Sequence, residues 1–453
     1  MRRPTPNQNE SPFGFDELFF STTNERGVIT FGNDVFVRVS GYHRETLKGA
    51  PHSIIRHPDV PRAVFKLLWD TLQAGRPIAA YVKNLSANGS FYWVYAFVFP
   101  IQDGYLSIRL KPSSPIFSVV KNLYTATLAV EEKDGMEGSV PFILEQVQKA
   151  GFRDYTDFMI QAAFAEINAL PEKDQSTKTS RAGGISEISD ISSKTSQDLK
   201  DCFKRVQDFQ NINKSFVATL ENLTSGFTQL KFNALNMTVA AAKFGEVASS
   251  LGVVAKEFSD LAEQIRSHLS GLEHFEQNLT ETIQKCTLKI VSMDVQMMMV
   301  DFFIKESIEK SQHAENAFSD MMIVRDSFAN LFRGNSADLA IEIKALADQL
   351  SKISSQLADV KRFTTGLEVI RQIGAVESAR VNEVKVTFVH YLEEMHRFIT
   401  LLQTSNASIQ KSVHDLDSHC DVIGQIASSV AGHVDTLFEK AASFSPDATA
   451  QAV

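Results

Sequence analysis

IAAYVKNLSANGSFYWVYAFVFPIQDGYLSIRLKP, residues 78–112, decides the class of the first fold. Aromatic and β-branched residues fill IAAYVKNLS (78–86), SFYWVYAFVFP (90–100) and GYLSIRLKP (104–112), the composition that suits a pleated, half-buried surface. Asn88-Gly89 between the first two is a hairpin-turn signal. The three segments read as an antiparallel meander. Working toward the N-terminus, PRAVFKLLWDTLQA (61–74) puts Val64, Leu67, Leu68, Thr71 and Leu72 on one helical face, with Pro61 at its start and Gly75 at its stop. NDVFVRVSGY reads as a short helix capped by Asn33 or Asp34 and ended by Gly41, and ERGVITFGN as a strand running into a turn. Strand, short helices, one longer helix and a three-strand meander make a compact α+β domain.

The whole chain has 453 residues, room for two or three folded units at about 150 residues each. Apolar residues make up 43% and charged residues 22%, an ordinary globular mix. The net charge of -9, from 45 basic and 54 acidic residues, argues against a surface built to neutralise phosphates, so no nucleic acid is expected as partner. Cys202, Cys286 and Cys420 are too scattered for a disulfide framework or a Cys-X-X-Cys motif, and a reducing compartment fits. The start, MRRPTPNQNESPFGFDELFF, lacks the apolar core of a secretory signal. The greasiest run, IVSMDVQMMMVDFFI (290–304), is broken by Ser292, Asp294, Gln296 and Asp301, so no membrane span and a cytoplasmic location are expected.

Beyond Pro171 the only proline is Pro446, and an interior proline costs a helix about 3 kcal/mol, so the intervening sequence is read as continuous helix. Residues 172–197, rich in Ser, Thr and Lys around Gly183-Gly184, read as a flexible link whose later part suits a helix. Val254, Phe258, Leu261, Ile265, Leu269, Leu272, Phe275, Leu279, Ile283, Cys286 and Ile290 recur at steps of three and four, one seam of a long amphipathic helix. Such a stripe needs a partner. The expected architecture is therefore an α+β domain followed by an all-α, long antiparallel helical hairpin or coiled coil, dimerising to complete its core.

The first domain resembles the PAS domain of bacterial aerotaxis transducers. The likeness rests on ITFGNDVFVRVSGY, Arg56-His57-Pro58-Asp59-Val60-Pro61, Leu68-Trp69, Val82-Lys83-Asn84, Asn88-Gly89 and Phe91-Tyr92-Trp93-Val94. It implies a non-covalent FAD that reports oxygen or redox state, with Asn33, Arg56, His57, Asp59, Trp69 and Asn84 as supporting positions and Tyr92 and Trp93 lining or bracing the strand. One departure is Ile78, where the family often has tryptophan. Other readings stay open: Arg56 and Asp59 suit a salt bridge or helix cap, His57 a structural hydrogen bond or a heme ligand, and Trp69 a core position. Asn84 is harder to place in a core, because a buried amide needs partners.

QLKFNALNMTVAAAKFGEVASSLGVVAKEFSDLA (229–262) resembles the hairpin tip of methyl-accepting chemotaxis receptors. Gly245-Glu246 falls where a long helix would reverse. The resemblance implies docking of a chemotaxis coupling protein and a histidine kinase, with Gln229, Asn233, Asn236, Val239, Lys243 and Glu246 facing partners. The family's Glu-Ala-Ala-Arg is here Ala240-Ala241-Ala242-Lys243. A second block, GLEVIRQIGAVESAR (366–380), marks either a further close crossing and reversal or plain packing, and the pairs Glu131-Glu132 and Glu393-Glu394 read as solvated faces.

Phosphate loops, Gly-X-Ser-X-Gly elbows and His-Glu-X-X-His helices are all missing, so no catalytic or metal site is expected. The expected layout is an N-terminal cap (1–20), a PAS sensor (21–112), a helical connector (113–171), a linker (172–197), a helical signalling domain (198–440) and a tail (441–453). The leading function is a soluble redox transducer. The alternatives are a cofactor-free scaffold and a heme-bound gas sensor.

Overall fold

The computed structural model describes residues 4–170, 183–311, 317–380 and 382–442. The sequence meander becomes β3 (Ile78–Leu85), β4 (Phe91–Ile101) and β5 (Gly104–Leu110). They join β1 (Phe19–Asn24) and β2 (Ile29–Gly32) in one antiparallel sheet of order β2-β1-β5-β4-β3. β1 lies in a stretch that gave no strand signal, since Phe19 and Phe20 are adjacent and four short polar residues follow. Its pairing with β5 decides it. The N-terminal segment also belongs to the sheet: Ser11 N donates to Phe91 O and Phe91 N to Asn9 O.

Between β2 and β3 lie α1 (Asp34–Ser40), α2 (Arg44–Leu47), a 3-10 turn at His52–Ile55 and α3 (Arg62–Gln73). Asn33 caps α1 by accepting from Phe36 N, and Gly41 (φ 68°) ends it in the left-handed conformation. Pro61 precedes α3, and Gly75 (φ 72°) follows it.

α4 (Pro115–Lys149) and α5 (Tyr155–Ala169) complete the connector, and both pack on the domain. α4 breaks at Gly135 (φ 68°) and restarts, and Pro141 lies inside the second part. α6 (Gly183–Phe244) begins inside the stretch read as linker, and residues 172–182 of that stretch lie outside the described ones. α7 (Ser249–Ser311), α8 (Ala317–Ala379) and α9 (Asn382–Ala442) follow.

The chain divides into two compact units. One contains the residues up to 200 with 287–337 and those from 428 onward; the other contains 201–286 and 338–427. In the second unit four helical segments surround one core. The stripe from Val254 to Cys286 is buried there apart from the half-buried Leu261, and the helices that cover it belong to the same chain. One described stretch, Asp190–Leu272, is long and apolar enough by length and composition to cross a membrane, with a third of its most apolar window buried inside the protein.

Candidate cofactor site

Strand pairing sorts the candidate residues by face. Asn84 pairs with Tyr92, and Lys83 with Trp93. Side chains alternate along a strand, so Asn84 and Tyr92 share one face while Trp93 stands on the other. Arg109, opposite Ala96, joins the Asn84 face. All three polar residues there are buried, yet Asn84 Nδ2, Tyr92 OH and Arg109 Nη1 have no hydrogen-bond partner. An unmet buried donor costs about 1–3 kcal/mol. Three on one sheet face form a donor set that fits a ligand rich in acceptor oxygens and nitrogens, such as a flavin ring.

Arg109 Nη2 is anchored, donating to Ser21 Oγ (3.1 Å) and lying 2.5 Å from His52 Nε2. Burial, aided by Arg109, pushes the His52 imidazole down to about 3, so the ring is neutral at pH 7 and its Nε2 lone pair accepts from the guanidinium. His52 also stacks on Phe36 with the rings nearly parallel. Burial lowers Arg109 to about 10, which leaves it charged, and raises the Tyr92 phenol, which leaves it a donor. Sequence reading missed both Arg109 and His52. A charged residue at an inward position of GYLSIRL was the available signal for Arg109.

The Arg56–Asp59 segment borders this face. Arg56 forms a backbone bridge with Asn84, and His57 N donates to Lys83 O (3.3 Å). The buried His57 ring accepts at Nδ1 from Asp59 N (3.1 Å). The Arg56 guanidinium lies 3.9 Å over the Phe65 ring. Asp59 is exposed and pairs with Lys83 Nζ (2.6 Å). Asn33 uses its amide locally: Oδ1 accepts from Phe20 N and Phe36 N, and Nδ2 donates to Leu18 O. Trp69 is half-buried, edge-on to Tyr105 and against Gly27, and Trp93 packs on Phe117 and Tyr124 of α4. The face thus unites Asn84 and Tyr92 and leaves Trp93 and Asp59 outside it.

Two buried carboxylates tie the connector to this domain. Glu131, expected on a solvated face, instead accepts from Arg62 N (3.1 Å), Arg62 Nε (2.8 Å), Ala63 N (3.2 Å) and Ser139 Oγ (3.1 Å), capping α3. Burial alone would raise its carboxyl; the hydrogen bonds from Arg62, Ala63 and Ser139 outweigh that and hold it below the usual range. The positive end of the α3 dipole is the reason a carboxylate sits there. Glu166 of α5 accepts from Tyr81 OH (2.7 Å), Ser114 Oγ (2.7 Å), Ser113 N (2.6 Å) and Ser114 N (3.0 Å), closing the start of α4.

At the far end of the second unit, α6 ends at Phe244, residues Gly245–Ala248 form a 3-10 turn and α7 begins at Ser249. Gly245 has φ 62°, which makes the reversal possible. Gln229, Asn236, Val239, Lys243 and Glu246 are exposed, and Asn233 is half-buried. Phe232, Leu235, Val247 and Val253 add exposed apolar surface beside them. Among the described residues no cluster of three or more His, Cys, Asp or Glu is placed to hold a metal ion.

Residues 29–106 match the family described as PAS fold. The N-terminal domain is a PAS domain, and long helices follow it. Among curated proteins, the aerotaxis receptor of Escherichia coli (strain K12) is 41% identical over 128 residues, covering 27% of this chain and 25% of that receptor. The match thus spans about a quarter of the relative's length. Among solved structures, a light-oxygen-voltage domain studied with a flavin analogue is 19% identical, covering 24% of this chain and 87% of its own, with a TM-score of 0.21. The light state of the Aureochrome1 LOV photoreceptor is 21% identical, covering 24% and 91%, also with a TM-score of 0.21. A Rhodobacter sphaeroides LOV protein is 16% identical, covering 33% and 91%, with a TM-score of 0.22.

Proposed function

We propose that this protein is a cytoplasmic, non-enzymatic redox transducer that holds FAD in its PAS domain and signals through its helices to a chemotaxis coupling protein and histidine kinase. The observation that carries the reading is the trio of unpartnered donors, Asn84 Nδ2, Tyr92 OH and Arg109 Nη1, on one buried sheet face of a domain 41% identical to part of an aerotaxis receptor. Asn84 and Arg109 would hold the ring's polar edge, and the neutral His52 would keep Arg109 aimed at it. A bound flavin supplies reversible oxidation and reduction.

The chain's own residues offer a route outward. Arg56 shares a backbone bridge with Asn84, the block that follows it leads into α3, and Glu131 caps α3 from the connector. Tyr124 OH of α4 donates to Tyr81 O, three residues before Asn84 on the same strand. α4 thus holds the same strand that carries Asn84. The exposed tip of α6 and α7, with Val239, Lys243 and Glu246, is the proposed docking end.

The visible spectrum of the purified protein before and after dithionite tests the sensing half. Oxidised-flavin bands that bleach are expected. A colourless protein overturns flavin binding in favour of a scaffold, and a Soret band overturns it in favour of heme.

A further inference from the structure

In the second unit, α6 meets α7 where Asn213 Nδ2 donates to Thr280 Oγ1, and α9 where Phe227 packs on Phe398. α8 meets α7 where a Cβ on Gly366 would stand 2.9 Å from Leu261, and α9 where one on Gly374 would stand 2.9 Å from Leu392. The cyclic order is therefore α6-α7-α8-α9, with each hairpin lying beside the other. Both chain reversals fall at the same end, as Phe244 packs on Phe388 and Gly374 lies against Val254.

The two hairpins also agree in register. Buried positions of α6 recur in α8 exactly 137 residues later: Cys202 and Leu339, Phe209 and Leu346, Leu220 and Leu357, Leu230 and Leu367, Ala241 and Ser378. The same interval relates α7 to α9: Leu251 and Phe388, Phe258 and Met395, Ile265 and Leu402, Leu279 and Leu416, Cys286 and Ile423. The residues around each reversal keep the interval as well. VAAAKFGEV (239–247) and VESARVNEV (376–384) share Val, Ala, a basic residue, Glu and Val at matched places. Periodic cores alone would match in any such bundle; a shared sequence at the reversal is not required by packing.

We propose that the second hairpin is the internal counterpart of the first, so that one chain builds by pseudo-two-fold pairing the four-helix bundle that a lone hairpin would need a second chain to complete. The block 366–380 thereby becomes the ascending arm of a second tip, the counterpart of 229–243 in α6. Val239, Lys243 and Glu246 have Val376, Arg380 and Glu383 as counterparts, and Glu377 stands where the first tip has Ala240. The two tips are related but chemically unlike.

Cysteine cross-linking in the full-length protein tests this inference whether or not flavin binds. A Cβ on Gly226 would stand 2.8 Å from Leu401 of α9. Gly226→Cys with Leu401→Cys reports that contact, and Leu261→Cys with Gly366→Cys reports the contact from the other hairpin. The native thiols are buried, burial raises Cys420 to about 12, and the chain without added cysteines serves as the control for them. Each double variant is expected to close a disulfide within one chain, while co-expressed single variants give no covalent pair. Covalent two-chain products from the single variants would overturn the proposal, as would the failure of both double variants to cross-link.

Discussion

The donors left without partners set the chemistry at the scale of single residues. Asn84→Leu removes the amide while keeping the strand's size and apolar support, so flavin content per protein is expected to fall at least tenfold with the far-ultraviolet dichroism unchanged. Arg109→Met should behave alike. His52 gives a pH signature. Its folded value of about 3 lies below the ordinary 6.5, so the unfolded chain binds the extra proton as pH falls from 6.5 toward 3. Stability of the PAS domain is then lost across that window, by up to ~1.4 kcal/mol per pH unit from this one group. Urea unfolding at several pH values checks this, and His52→Gln should flatten the slope. Asn84 was legible in the sequence because an amide in an apolar strand calls for a partner. His52 was not, since only its stacking on Phe36 and the approach of Arg109 distinguish it from a loop histidine.

Among the elements, α3 and α4 are joined by the Glu131 carboxylate. Glu131→Ala removes the cap from α3, and a loss of about 1–2 kcal/mol is expected in urea unfolding, with faster amide exchange at Arg62 and Ala63. Because the Glu131 carboxyl is held low when folded, its contribution is present at neutral pH and vanishes as acid protonates it. α3 itself was readable, since Pro61, the apolar face and Gly75 are local signals. Its cap comes from 69 residues away and leaves no local trace. β1 shows the same division: pairing with β5, not its own alternation, makes FFSTTN a strand.

For the whole molecule, the internal pairing proposed above makes the second unit a four-helix bundle complete within one chain. The midpoint at which its helical signal is lost on heating is therefore expected to stay constant over a hundredfold range of protein concentration, whereas an obligate two-chain bundle would melt higher when concentrated. The stripe from Val254 to Ile290 correctly demanded a partner, but periodicity cannot say whether the partner is another chain or a later part of the same one. The block 366–380, read as either a further reversal or plain packing, lies at the end of α8, where the chain turns into α9.

Local chemistry in the sequence determined the elements other than β1: turn glycines, proline placement, the meander and the helical seam each act within a few residues. Two family resemblances added the PAS fold and the chemoreceptor-like tip. Only tertiary structure decided which polar groups face inward together, which carboxylates cap distant helices and which helix covers each stripe. Those outcomes depend on burial and on contacts between residues tens to hundreds of positions apart, where an unmet donor or a shared core layer exists only once the chain has folded.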